Sequence, residues 1–192
     1  MQVSELGLEV KFSGPGQPVA LAEGSTAAGG AVIEGYASLF GRADQGGDVV
    51  ARGAYAASLK RLAETGKRVK MLWQHDATAP IGVWDEIRED ATGLWVKGRL
   101  LPEVTQAREA EALLRAGAID GLSIGYRAIK ASRNDQGQRV LSEIDLWEVS
   151  LVTFPMLPDA RVAAKADDPA QALLAAFTET LTAATAVLNG EG

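Results

Sequence analysis

Gly121-Leu122-Ser123-Ile124-Gly125-Tyr126 and, beyond the turn residues Asn134-Asp135-Gln136-Gly137-Gln138, the run to Glu148-Val149-Ser150-Leu151-Val152-Thr153-Phe154 decide the fold. Leu122, Ile124 and Tyr126 alternate with Gly121, Ser123 and Gly125, the period of a β-strand. The turn residues between the two runs favour chain reversal, so Leu122 to Ala131 and Arg139 to Phe154 are predicted as a hairpin. If Asn134 or Asp135 lies opposite Gln138, paired residues have numbers totalling about 271 to 273. Ser123 then lies beside Glu148, Val149 or Ser150, and an odd total puts Ser123 and Glu148 on one face. A β-bulge would alter this register.

Glu148 is the unusual member of its strand. By simple alternation it shares a face with Ile144, Leu146, Ser150, Val152 and Phe154, and a carboxylate there is costly to bury without a partner. An imidazolium is one suitable partner; an arginine such as Arg127 is another. Ser123, flanked by glycines, sits on a face with room for a substrate backbone, or its glycines serve only to relieve crowding against another strand. The letters Gly121-x-Ser123-x-Gly125 match a nucleophile elbow, but that motif turns from strand into helix, whereas this segment continues as strand.

Outward from the hairpin, Val69, Met71, Trp73 and His75 share one face of a predicted strand. Ile81 to Ile87 and Leu94 to Leu101 form a second hairpin around Arg88-Glu89-Asp90-Ala91-Thr92-Gly93. Tyr55, Leu59 and Leu62 give one helical face between Arg52 and Gly66, and Pro102 to Gly117 brackets a second helix. Near the N-terminus, Leu6, Leu8, Val10 and Phe12 alternate as a strand, Gly14 to Gly30 reads as a loop, and a strand follows at about Val32 to Phe40. Pro155 to Asp168 reads as a linker before an Ala-rich helix running to about Leu188, with Leu173, Leu174, Phe177 and Leu181 as its apolar stripe. The expected class is α+β, strand-rich, without parallel βαβ alternation.

The chain has 192 residues, 47% of them hydrophobic, which suits one domain with tails. It has no cysteine and one histidine, which removes thiolate chemistry and makes a zinc site implausible. No metal or cofactor is expected. The net charge of −6 argues against nucleic acid as a partner. The sequence shows no basic n-region followed by an apolar stretch, and no apolar segment of membrane-spanning length, so a cytoplasmic protein without a membrane partner is expected.

His75, in Trp73-Gln74-His75-Asp76, lies where an apolar strand meets a polar loop. Imidazole, with an ordinary pKa of about 6.5, is the usual general base for a serine. A histidine that merely caps a strand end is the alternative reading. The run Arg42 to Asp48 lacks the ligand spacing of an EF-hand and reads as a turn.

The blocks Gly35-Tyr36-Ala37-Ser38-Leu39-Phe40, Gly47-Asp48-Val49-Val50 with Gly53-Ala54-Tyr55, Leu72-Trp73-Gln74-His75-Asp76, Gly121 to Tyr126, and Glu148 to Pro155 occur in this order. In them the sequence resembles the prohead proteases of HK97-type tailed phages and of phage-derived gene transfer agents. The resemblance covers about Gly35 to Arg161. It implies a β-barrel surrounded by helices, similar to herpesvirus assembly proteases. It also implies a catalytic serine at Ser123, a histidine base at His75 and an acidic third member at Glu148, with Asp76, Glu143 and Asp145 as possible replacements.

The implied function is a serine endopeptidase that cuts scaffold and the major capsid protein precursor inside the assembling prohead, in host or bacterial cytoplasm, as a homo-oligomer. Oxyanion donors are expected around Gly117 to Gly121. The expected division is residues 1–30 as strand and flexible loop, 31–161 as protease domain, and 162–192 as linker and helix, with self-cleavage in the linker. The competing reading is a non-enzymatic scaffold or minor shell protein that binds capsid precursor through its C-terminal helix.

Overall fold

The structure, a computed structural model, describes residues 9–12, 20–22, 30–44 and 46–153. Among these lie nine strands: β1 Glu9–Phe12, β2 Ala20–Ala22, β3 Val32–Leu39, β4 Asp48–Val50, β5 Lys70–Trp73, β6 Asp76–Glu89, β7 Gly93–Leu100, β8 Gly121–Arg133 and β9 Arg139–Val152. Two helices accompany them, α1 Ala56–Thr65 and α2 Thr105–Arg115. The strands form one sheet in the order β1-β8-β9-β5-β6-β7-β3-β2, with β4 added beside β9. The sheet curls enough that β3 touches β8, although β9, β5, β6 and β7 lie between them in the strand order.

The strand-rich expectation matches this architecture, and both predicted hairpins form. Two expectations need correction. The stretch Gly14 to Gly30 is not wholly loop, because Ala20–Ala22 pairs antiparallel with Glu34 to Val32 at the sheet's end; short Ala-rich edge strands carry little periodic signal. The strand holding Val69 to Trp73 ends before His75. The sheet itself is mixed: β5 and β4 both run parallel to β9. Leu6, Leu8, Phe154, the linker and the Ala-rich helix lie outside the described residues.

The core lies against the inner face of the curled sheet, where Ile33, Val96, Leu100, Ile124, Leu141, Ile144 and Leu151 are buried with Tyr55 and Leu114 from the helical segments. Gly66 ends α1 in the left-handed conformation, at φ 65°, as its position after the apolar stripe predicts. Ser58 ties α1 to β9, its buried hydroxyl accepting the Leu146 amide at 2.9 Å.

Asp90 organises the β6–β7 turn. Its Oδ1 accepts the Thr92 and Gly93 amides at 2.7 and 3.1 Å, and its Oδ2 accepts the Tyr36 hydroxyl at 2.7 Å and Arg88 Nη1 at 2.9 Å. Burial alone would push this carboxyl up, but the hydrogen bonds outweigh it and lower it to about 2. The stabilisation is therefore complete above the ordinary value of 3.8 and is lost as pH falls through about 2. Asp90→Asn is expected to cost about 1–2 kcal/mol at pH 7. In urea melts taken at descending pH, the gap between variant and parent should close between about pH 4 and pH 2.

Candidate active site

The β8–β9 ladder sets the site's frame. Ser123 lies opposite Ser150 and Gly125 opposite Glu148, a register total of 273, within the range the turn predicts and odd. Ser123 and Glu148 therefore stand on one face, diagonal neighbours across the pair.

A bulge then corrects the expected surroundings of Glu148. The register shifts between Gly125 and Tyr126, so that Tyr126 pairs with Leu146 and Trp147 is the extra residue. Leu146 and Ile144 join Tyr126 in the core, while Glu148 turns to the other face with Gly125, Ser123 and Ser150. Strict alternation puts Glu148 on the Leu146 face; the bulge separates them. Trp147 is 43% exposed, and the Arg127 guanidinium lies over its ring, 5.5 Å from the centroid. Arg127 thus engages Trp147 on the outer surface.

The glycine beside Ser123 also has a more specific use than the sequence suggests. A Cβ built on Gly125 would lie 2.1 Å from Glu148 Oε1 and 2.8 Å from its Cδ and Cγ. The space left by the missing side chain holds the glutamate, not a substrate backbone.

His75 reaches the same place from β5. Parallel pairing sets Lys70 opposite Glu148, Leu72 opposite Ser150 and Trp73 opposite Leu151. The chain then turns sharply: Gln74 and His75 both have left-handed backbones, at φ 52° and 59°. Such a conformation costs a non-glycine residue about 1–2 kcal/mol and persists where surrounding bonds over-determine it. Those bonds are present. The Gln74 amide donates to Leu151 O at 2.9 Å, its side-chain Nε2 to Thr153 Oγ1 at 2.6 Å, and Thr153 N to Gln74 Oε1 at 3.3 Å. The His75 amide donates to Ser150 Oγ at 3.2 Å.

The turn aims the imidazole along a line of hydrogen bonds. His75 Nε2 lies 2.6 Å from Ser123 Oγ, and Nδ1 lies 2.6 Å from Glu148 Oε1. The second carboxylate oxygen, Oε2, accepts the Ser150 hydroxyl at 2.5 Å. Ser150 therefore links the backbone of the histidine to the carboxylate that orients its ring. Ser123 and Ser150 have no exposed surface, and Glu148 and His75 are 2% and 6% exposed. When Glu148 is ionised it can only accept, which places a hydrogen on Nδ1 and leaves Nε2 to accept from the serine hydroxyl.

The other carboxylates are engaged elsewhere. Asp76 accepts the Thr78 amide and hydroxyl at 2.9 and 2.7 Å, Glu143 pairs with Lys130, and Asp145 pairs with Arg61. Of the loop expected to supply oxyanion donors, the Gly117 and Ala118 amides close the end of α2 on Leu114 O and Leu113 O, at 3.0 and 2.9 Å, and so are occupied. Sequence reasoning missed Ser150 and Gln74. The signal for Ser150 was its place two residues from Glu148 on the same strand face; Gln74 carried none, since period-two patterning cannot express a left-handed turn.

A hydroxyl, an imidazole and a carboxylate in line form the constellation of serine hydrolases working by acyl transfer. Residues 19–173 match the family profile described as Caudovirus prohead serine protease. Among relatives, the prohead protease of Enterobacteria phage HK97 is 32% identical over 159 residues, a match covering 81% of this chain and 64% of that protein. The structure of the bacteriophage T4 capsid assembly protease, gp21, superposes with a TM-score of 0.61 at 16% identity, covering 77% of this chain and 98% of that one. The chain belongs to the caudovirus prohead serine protease family.

Proposed function

We propose that this protein is a serine endopeptidase that cleaves scaffold and the major capsid protein precursor during maturation of a phage-like prohead. The observation that carries the proposal is the unbroken line from Ser123 Oγ through His75 to Glu148, at 2.6 Å on each side of the ring, in a chain of this family. His75 takes the Ser123 proton as the hydroxyl oxygen attacks the peptide carbonyl. The resulting imidazolium, steadied by Glu148, then gives that proton to the leaving amine. Water repeats the cycle on the acyl-enzyme and frees the serine. Ser150 holds Glu148 in register, and no cofactor or metal enters the scheme.

The work falls to residues 31–161, folded like the barrel of a herpesvirus assembly protease. Residues 1–30 and 162–192 flank this domain, and the latter segment is removed or serves as scaffold. Homo-oligomers act inside the assembling prohead in the cytoplasm, without nucleic acid or membrane as partner. Among the described residues, no helix is long and apolar enough to cross a membrane.

Co-expression with the neighbouring capsid precursor tests the reading. A new precursor N-terminus should appear with the parent and be absent with Ser123→Ala. Intact precursor in both, at high protein concentration, would favour the scaffold reading instead. Within the mechanism, Glu148→Gln keeps an acceptor for Nδ1 but removes the charge that steadies the imidazolium. It is expected to lower kcat about 10²- to 10⁴-fold with KM little changed, leaving measurable hydrolysis of a peptide substrate.

A further inference from the structure

Two surface features that the hydrolytic scheme leaves unused meet in one cleft of about 640 Å³, between the end of α1, the start of β5 and the bulge of β9. The first is charge. Arg61, Lys67, Arg68 and Lys70 line the cleft, and Asp145 is the only carboxylate among the described residues that line it. Asp145 is already engaged: Oδ1 accepts Arg61 and, at 3.4 Å, the Ser58 hydroxyl, while Oδ2 accepts Trp147 Nε1 at 3.0 Å. Lys67, Arg68 and Lys70 are exposed and have no carboxylate partner among the described residues. Lys67 and Arg68 follow the C-terminal end of α1, where cations are favoured in any case, but Lys70 stands on a strand and has no helix dipole to offset. The second feature is the indole. Trp147 is one of three large apolar side chains exposed among the described residues, and it is held in place by Asp145 and by Arg127 over its ring. An exposed tryptophan already fixed by its neighbours loses little freedom on binding, and Trp and Arg carry much of the energy of interfaces.

We propose that this cleft is a docking site for an acidic segment of the protein substrate, apart from the residues that are cut. Resting on the endopeptidase reading above, this adds a means of choosing substrate beyond the scissile bond. The charge is complementary. With a net charge of −6 the chain as a whole repels an acidic partner, and the cleft, with four cations against one engaged carboxylate, is a place that receives one. The same net charge disfavours a long polyanion such as nucleic acid. Lys70 stands opposite Glu148 in the ladder and five positions before His75, a span of at most about 18 Å. A substrate stretch of about ten extended residues, roughly 33 Å long, is therefore enough to reach both places around the surface.

The test compares the full-length parent with full-length Lys67→Glu/Arg68→Glu, using a fluorescein-labelled hexaglutamate peptide as the acidic probe and a short single-stranded DNA with the same label beside it. Fluorescence anisotropy at low salt should show the variant binding hexaglutamate roughly fivefold or more weakly than the parent. With capsid precursor as substrate, the rate of precursor cleavage divided by the rate of Ser123 labelling by a small fluorophosphonate should fall roughly fivefold or more in the variant. Equal hexaglutamate binding by the two proteins, or an unchanged ratio, overturns the docking site while leaving the endopeptidase reading intact. DNA bound more tightly than hexaglutamate by the parent, and lost in the variant, also overturns it and assigns the cleft to nucleic acid. If the parent neither cuts precursor nor labels above a Ser123→Ala control, the endopeptidase reading fails and the docking site fails with it. If circular dichroism shows the variant unfolded, Lys67→Gln/Arg68→Gln decides on the same two measurements.

Discussion

His75→Asn is expected to fold like the parent and to lose hydrolysis by a factor of about 10⁴ or more. Asparagine is chosen because position 75 has φ 59°, a region that Asn enters far more readily than Ala does. The variant can keep the turn and the 3.2 Å amide bond to Ser150 Oγ, so any loss reports the missing base rather than a collapsed loop. No second histidine exists in the 192 residues to replace it. Thermal melts alongside peptide hydrolysis check the result: a folded His75→Asn protein that retains more than about a tenth of parent activity would remove His75 from the mechanism.

Gly125→Ala is expected to be nearly as damaging, although the residue contributes no chemistry. The added methyl would enter the space of Glu148 Oε1, at 2.1 Å, so either the carboxylate swings off Nδ1 or the β8–β9 pair spreads. Overpacking of this kind costs about 1–3 kcal/mol of stability, and misplacing the orienting carboxylate should lower kcat by about 10²-fold or more. The cause is separable by a double-mutant cycle. In a Glu148→Ala background the obstruction is gone, so Gly125→Ala should add little to either loss. Additive effects would mean that the glycine serves something other than Glu148.

Much of this site was legible because the hairpin is local. Its turn residues fix the register, and the register alone brings Ser123 and Glu148 to one face without reference to the rest of the chain. The bulge at Trp147 was not legible, since an extra residue breaks the alternation used to read the strand, and it reversed the apparent environment of Glu148. The route of His75 to the serine was hidden for a different reason. It depends on parallel pairing between β5 and β9, which no turn sequence announces, and on two left-handed residues that side-chain periodicity does not express. The pairing of β1 with Ser123 was hidden likewise, because its partners are remote in the chain and edge pairing leaves no mark on either strand's pattern.

The remote pairing of β5 with β9 also bears on when the site comes into being. Ser123 and Glu148 are joined by a hairpin that can form early, whereas His75 is 48 positions from the serine and 73 from the glutamate along the chain. Contacts of such sequence separation are slow to form, because the entropy of closing the intervening loop is lost before the contact compensates. On the proposed mechanism, a chain with the β8–β9 hairpin but without the β5–β9 pairing would hold Ser123 and Glu148 without His75. In the proposed mechanism the β5–β9 pairing is therefore a condition for hydrolysis, met only when the sheet is complete.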